Sequence, residues 1–283
     1  MAGAEQALLR VQDVAVHFGG IVALDGVSFV VPQGRIVGLI GPNGAGKTTL
    51  FNCISRLYPC ERGDIAFAGR SLLRVPRHRI AALGIGRTFQ NLALFRTMSV
   101  LENVMVGRHS RSRGVRQAQR RGEEAAARAA VAADHYVLEH AHAAEQGEVL
   151  ERASDAEARD RARELLALLE LERVADTPVA ALPFGTQKRV ELARALAAEP
   201  KLLLLDEPAS GLNHEEVGAI GVLIRSLRQR LKLTVLLVEH HMQLLMSLSD
   251  WVVALNFGKR IAEGTPAEVR SHPELVRAYL GST

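Results

Sequence analysis

A glycine-rich loop at residues 41–49 carries the clearest chemistry in the sequence. It follows a short apolar run and fits the pattern of Gly, four residues, Gly, Lys and then Ser or Thr. Glycine lets backbone amides turn toward a phosphate without a side-chain clash, and the start of a helix adds a favourable dipole. Lys47 supplies a positive charge, and the Thr48 hydroxyl is a ligand for Mg²⁺. The loop predicts a nucleoside triphosphate site built from Gly41, Pro42, Asn43, Gly44, Ala45, Gly46, Lys47, Thr48 and Thr49.

An acidic pair, Asp206 and Glu207, follows the apolar run at residues 202–205. Such a run fits a strand buried on both faces of a parallel sheet, and ligands bind at the carboxyl ends of such strands. Asp206 is placed to hold a metal ion or its water, and Glu207 to take a proton from an attacking water. The pair alone is also common as a helix cap. Combined with the glycine loop, it predicts hydrolysis of the triphosphate.

Alternating strand and helix patterns must position these residues, which indicates an α/β fold. The predicted strands cover residues 8–18, 27–31, 35–40, 64–68, 85–88, 201–205, 233–238, 252–255 and 260–262. The predicted helices cover residues 47–57, 100–106, 161–171, 187–198, 214–229 and 242–248. A strand, a glycine loop and a helix therefore follow one another at residues 35–57, which is the context that a phosphate loop needs.

The composition is that of an ordinary globular protein of 283 residues, with a formal net charge of +4. This charge suits a phosphate ligand or an anionic membrane surface and is too small to indicate a nucleic-acid partner. Cys53 and Cys60 fit neither a zinc spacing nor a disulfide framework, so we expect reduced thiols. The first residues lack the pattern of a signal peptide, and no apolar run approaches the ~18 residues of a membrane span.

The composition changes between residues 108 and 160, where arginine and then alanine dominate. No glycine or proline interrupts residues 123–146, so this stretch is compatible with helix. One interpretation is a solvated helical hairpin. The other is a contact with lipid headgroups or with the cytoplasmic loops of a partner.

The segment at residues 182–189 lies between the loop and the acidic pair and runs into a helix. With it, the chain resembles the nucleotide-binding subunits of ABC transporters, whose signature is usually written LSGGQ. Gly185 is kept, whereas Pro183 replaces the usual Ser and Phe184 the first Gly. Thr186 replaces the final Gln. The resemblance implies a P-loop NTPase core of ABC type, with an antiparallel β subdomain and a helical signature subdomain.

The resemblance also implies roles for residues outside the loop. Gln90 matches the Gln loop that touches the metal, and Phe18 matches the aromatic residue that stacks on adenine. His240 matches the switch histidine at the γ-phosphate, with His241 as the adjacent alternative. Gly185 would face the γ-phosphate of a partner subunit.

In the family, two ATPase subunits close over two ATP molecules beneath membrane subunits. The implied ligands are ATP and Mg²⁺, with Thr48, Gln90 and Asp206 at the metal and Glu207, Gln90 and His240 as catalytic residues. The implied partners are a second ATPase subunit, identical or different, and transmembrane permease subunits, with no nucleic acid. The implied location is the cytoplasmic face of the membrane.

The resemblance is closer to the ATPase subunits of branched-chain amino acid importers. It rests on residues 86–91, 207–213, 264–266 and 278–281, and on the Pro-aromatic-Gly form of the signature. An exporter of lipid or lipopolysaccharide, which has a similar tail, is the nearer alternative. A soluble ABC ATPase of DNA repair or translation is another, although the chain has one phosphate loop and no sustained heptads. Two features argue against a GTPase or a kinase, namely the segment around Gly185 and the presence of His240.

We expect residues 1–283 to form a single ABC ATPase domain. Residues of about 8–90 and 187–262 would form the core and β subdomains. Residues of about 91–186 would form the helical subdomain with its insert near 108–160, and residues 263–283 a C-terminal helical tail.

Overall fold

The computed structural model describes residues 6–90, 92–108 and 156–280. The chain divides into two compact units. The first unit combines residues 1–77 with residues 201–283, and the second unit consists of residues 78–200.

The elements follow the alternating order that the sequence predicts. The strands are β1 (Ala7–Phe18), β2 (Ile21–Pro32), β3 (Ile36–Ile40), β4 (Arg62–Phe67), β5 (Arg70–Ser71), β6 (Ile85–Arg87), β7 (Leu202–Asp206), β8 (Thr234–Val238), β9 (Trp251–Asn256) and β10 (Lys259–Gly264). The helices are α1 (Lys47–Ile54), α2 (Ile80–Leu83), α3 (Val100–Gly107), α4 (Ala156–Leu168), α5 (Phe184–Ala197), α6 (His214–Leu231), α7 (Met242–Leu248), α8 (Pro266–Arg270) and α9 (Pro273–Leu280). The described helices include none long and apolar enough to cross a membrane.

An antiparallel sheet in the first unit has the strand order β2-β1-β4-β5. Val27, Phe29 and Val31 of β2 alternate with less buried residues, because one face of the sheet is buried. β2 begins at Ile21, earlier than the start predicted at residue 27. The predicted antiparallel β subdomain is confirmed.

The second sheet of this unit contains β10, β9, β3, β8 and β7 in that order. The strands β9, β3, β8 and β7 run parallel, and β10 pairs antiparallel with β9. Every residue of β3, β7 and β8 is buried, which explains their continuous apolar sequences. The carboxyl ends of these three strands therefore lie next to one another at one edge of the sheet.

The second unit contains the helix that follows the degenerate signature. α5 begins at Phe184, three residues before the predicted start at residue 187. This helix packs on α3 and α4 and lies entirely within the second unit. The subdomain boundary expected at residue 187 would fall inside the helix. The helix considered for residues 123–146, most of the arginine-rich stretch and Asn91 lie outside the described residues.

Candidate functional site

The glycine loop leaves β3 and enters α1 in very close contact with neighbouring backbone. A Cβ atom added at Gly41 would lie 2.2 Å from the Leu255 carbonyl oxygen. A Cβ atom added at Gly46 would lie 2.5 Å from the Ala23 carbonyl oxygen. Gly46 also has a φ of 99°, in the left-handed region that favours glycine. The need for glycine at positions 41 and 46 thus follows from the packing of the loop against β9 and β2.

Two hydrogen bonds support the loop from the C-terminal part of the chain. The Gly258 amide, in the turn between β9 and β10, donates to the Ala45 carbonyl at 3.2 Å. The Gly41 amide donates to the Tyr279 hydroxyl of α9 at 3.0 Å. Burial raises the pKa of Tyr279, and the hydrogen bond from Gly41 opposes this rise. The phenol therefore remains neutral at physiological pH and can act as an acceptor.

Lys47 is the buried cation of the loop, with 6% of its surface exposed. Its Nζ donates to the carbonyl oxygens of Gly41 at 2.6 Å and Pro42 at 2.9 Å. Burial lowers the pKa of Lys47, while the charges of Glu207 and Asp206 oppose this shift. The ammonium group therefore balances the two carboxylates, and its carbonyl contacts are ones that phosphate oxygens could replace.

The acidic pair lies at the carboxyl end of β7, as predicted. Asp206 and Glu207 are both buried. Glu207 has a φ of 51°, an uncommon value for a residue other than glycine, and its amide donates to the Val238 carbonyl at 2.9 Å. Such a conformation persists only where the surrounding structure holds it, and it is frequent in active sites.

His240 contacts the acidic pair directly, because its Nε2 lies 2.6 Å from Oε1 of Glu207. The adjacent His241 directly precedes α7, and the amides of both histidines donate to Glu239. The structure thus brings His240, the histidine favoured by its position after the strand, to the side chain of Glu207. It brings these two residues together at the edge of the sheet that also carries the glycine loop.

The candidate metal ligands have the oxygen donors that Mg²⁺ prefers, namely the Thr48 hydroxyl and the Asp206 carboxylate. The charge of Asp206 is close enough to Lys47 to oppose the lowering of the lysine pKa by burial. Across the described residues, His, Cys, Asp and Glu form no group of three or more that could hold a metal ion. The two oxygen donors of Thr48 and Asp206 fit Mg²⁺, which is usually bound by one or two protein oxygens together with phosphates and water.

Phe18 lies at the end of β1 and is 44% exposed, as a residue that stacks on a planar base must be. Its ring meets Tyr58 edge-on, with centroids 5.1 Å apart and an interplanar angle of 70°. Ile21 and Val22 beside it are also exposed. Tyr58 has no role in the prediction from sequence, since a lone aromatic residue after a helix carries no distinguishing signal.

Gln90 and Gly185 belong to the second unit. The Phe89 amide, next to Gln90, donates to the Glu191 carboxylate of α5 at 3.0 Å. Burial raises the pKa of Glu191, and the bond from Phe89 opposes this rise. Gly185 lies in the first turn of α5, where Pro183 offers no side-chain cap and Phe184 is 44% exposed.

Two further residues of the candidate site have no role in the prediction from sequence. Tyr279 belongs to the C-terminal tail, and nothing in its neighbours shows that it reaches the glycine loop. Glu239 is a buried carboxylate directly after β8. A usable signal existed for Glu239, since an acidic residue after a buried apolar strand is the same pattern that identified Asp206.

Comparisons with known proteins show the family to which the chain is similar. The family model described as "ABC transporter" matches residues 24–210, and the one described as "Branched-chain amino acid ATP-binding cassette transporter" matches residues 259–283. The chain is 38% identical over 276 residues to the high-affinity branched-chain amino acid transport ATP-binding protein LivG of Salmonella typhimurium, covering 98% of each chain. It is 36% identical over 274 residues to BraF of Pseudomonas aeruginosa, whose name has the same description, covering 97% of this chain and 98% of BraF.

The chain is also similar to solved structures of ATP-binding cassettes from ABC transporters. A nucleotide-free ATP-binding cassette from an ABC transporter matches with a TM-score of 0.80 and 27% identity, covering 98% of this chain and 100% of the other. The ADP conformation of MJ1267, another such cassette, matches with a TM-score of 0.77 and 27% identity over the same shares.

Replacing Tyr279 with Phe tests the support that α9 gives to the loop. We expect the free energy of unfolding to fall by about 1 kcal/mol, because the Gly41 amide loses its acceptor. We also expect weaker nucleotide binding by the less constrained loop. Urea denaturation and titration with a fluorescent ATP analogue measure the two effects. Tyr58→Phe is the matched control, because it removes a hydroxyl and keeps the ring. Wild-type affinity in Tyr279→Phe would show that the hydroxyl does not support the loop.

Proposed function

The chain belongs to the ABC transporter family, and from this premise we propose that it hydrolyses ATP to power the uptake of branched-chain or related amino acids. The observation that carries the proposal is the 36% and 38% sequence identity, over nearly the full length of the chain, to two ATP-binding proteins of branched-chain amino acid transport. The match of the tail, residues 259–283, to the corresponding family model supports the same cargo class.

The loop would bind the phosphates through its backbone amides and the start of α1, where the helix dipole favours anions. Lys47 would exchange its carbonyl contacts for phosphate oxygens. Phe18 would stack on the adenine. Thr48 and Asp206 would hold Mg²⁺, which neutralises phosphate charge when bound. Gln90 keeps the metal-touching role that its match to the Gln loop implies.

Glu207 is proposed as the general base. Its carboxylate is buried and lies within hydrogen-bond distance of His240. A base of this kind must be fixed within reach of the water it activates. The left-handed backbone of Glu207 and the contact with His240 both restrict its position. His240 would orient the carboxylate and meet the γ-phosphate.

Each site would be completed by a second ATPase subunit, identical or different. The free amides and dipole at the start of α5 favour an anion. Gly185 would thus face the γ-phosphate bound by the partner subunit. The exposed Phe184 would lie in the contact between the two ATPase subunits. The subunits would work beneath transmembrane permeases at the cytoplasmic face of the membrane. Nothing in the charge of the chain favours a nucleic-acid partner.

Replacing Lys47 with Ala tests the phosphate loop. We expect ATP binding to fall by at least tenfold, which is about 1.4 kcal/mol, because a charge-assisted contact to phosphate is lost. Isothermal titration with ATP measures the loss. Lys201→Ala is the control, since Lys201 is an exposed lysine of the same unit. Wild-type turnover by Lys47→Ala would refute the assignment.

Replacing Glu207 with Gln tests the base. This variant keeps the size of the side chain but accepts a proton poorly, so we expect ATP binding to persist and turnover to fall by roughly 10²-fold or more. Phosphate release and size-exclusion chromatography with ATP measure both effects, and the slow variant should accumulate as a dimer. Glu263→Gln is the control, because Glu263 bonds to Trp251 instead of the site. Full turnover in Glu207→Gln would exclude this residue as the base.

Uptake by reconstituted vesicles tests the cargo. The chain, copurified with its permease subunits and supplied with a binding protein, should drive accumulation of labelled leucine that depends on ATP. The Glu207→Gln variant in the same vesicles gives the background. Failure to copurify with any permease would favour a soluble ATPase. Stimulation of turnover by a lipid substrate alone would favour an exporter.

A further inference from the structure

A buried carboxylate links two loops at the edge of the parallel sheet. Glu239 follows β8 directly and is only 2% exposed. Its Oε1 accepts a hydrogen bond from the Ala209 amide at 2.6 Å. Its Oε2 accepts hydrogen bonds from the amides of His240 at 3.1 Å and His241 at 3.3 Å. Both oxygens are therefore engaged by backbone donors from two separate segments of the chain.

These contacts close a ring that contains the proposed hydrolytic pair. The Ser210 amide donates to the Glu207 carbonyl at 3.1 Å, which forms the turn that carries Ala209. Glu239 ties this turn to the amide of His240. The ring is completed by the side chains, because Nε2 of His240 lies 2.6 Å from Oε1 of Glu207. A shift of either loop would therefore change the distance between Glu207 and His240.

The ring has the physical properties of a positioning device. Hydrogen bonds to an ionised carboxylate are shorter and about twice as strong as neutral ones, which agrees with the 2.6 Å contact to Ala209. A buried carboxylate is costly unless its oxygens are satisfied, and here three amides satisfy them. The strained backbone of Glu207 needs such surroundings to persist.

We infer that Glu239 is a positioning residue that sets the distance between Glu207 and His240 by tying the turn after β7 to the segment after β8. This inference rests on the proposed function, in which Glu207 and His240 act on ATP. Glu239 itself touches backbone amides and takes no proton from the attacking water. Its effect should therefore appear in the rate of hydrolysis more than in the binding of ATP.

Replacing Glu239 with Gln in the full chain tests this inference. The glutamine keeps the shape but turns one acceptor into a donor, which faces an amide that also donates. We expect kcat to fall by about tenfold or more, since a misplacement of about 1 Å in a reacting group can cost up to about 10²-fold. KM for ATP should stay within about twofold, because the contacts of the glycine loop are unchanged.

Two further variants are needed to interpret the kcat of Glu239→Gln. Glu263→Gln also removes a carboxylate that accepts a hydrogen bond, from the indole of Trp251 at 3.0 Å. It should keep the wild-type kcat even where its melting temperature falls. Glu207→Gln tests the base assignment separately: its full turnover would exclude Glu207 as the base, whatever Glu239→Gln does. If Glu207→Gln is slow and Glu239→Gln keeps wild-type kcat, the positioning role alone is wrong. An equal loss of kcat in Glu263→Gln and Glu239→Gln would also overturn it.

Hydrogen exchange on the wild-type chain keeps the inference testable if Glu239→Gln fails to fold. The amides of Ala209 and His240 lie in loops, yet we expect them to exchange as slowly as those of β8. Exchange at the rate of an exposed loop would overturn the inference, because the carboxylate would then not hold these amides.

Discussion

The nucleotide site depends on one constraint, which is the burial of three adjacent parallel strands on both faces. β3, β8 and β7 are fully buried, and their parallel pairing aligns their carboxyl ends. Each strand delivers one part of the site as it ends. The glycine loop follows β3, Asp206 and Glu207 end β7, and Glu239 and His240 follow β8. The pairing of these strands therefore brings the residues proposed for ATP hydrolysis to one edge of the sheet.

Because the charged residues at this edge of the sheet are buried, each of them needs a nearby opposite charge or hydrogen-bond partner. Lys47, Asp206, Glu207 and Glu239 are all buried, and an isolated buried charge would be costly. Lys47 lies near the charges of Asp206 and Glu207, and the oxygens of Glu239 accept hydrogen bonds from backbone amides. Bound phosphates would add negative charge at the point where Lys47 and the loop amides can meet it.

The local patterns of the sequence predicted much of this structure. Residue type and spacing indicated the glycine loop and the acidic pair, and the family resemblance indicated the histidine after β8. The predicted strands of the parallel sheet have nearly the same bounds in the structure. Boundaries were less well predicted, since α5 begins at Phe184 rather than Gln187 and β2 begins at Ile21. The reason for the first difference is that a proline is accepted at the start of a helix, so Pro183 does not delay it.

The sequence by itself indicated the glycine loop and the acidic pair as candidates for the chemistry, because phosphate binding and hydrolysis require particular residue types at short, fixed spacings. Only the tertiary structure decided which distant residues hold them in place. Tyr279 reaches Gly41 across 238 positions, and Glu239 reaches Ala209 across 30. Such contacts follow from strand order and helix packing, and these depend on the whole fold. The glycine loop can thus be recognised from consecutive residues, whereas the contacts that hold its shape come from β2, β9 and the C-terminal tail.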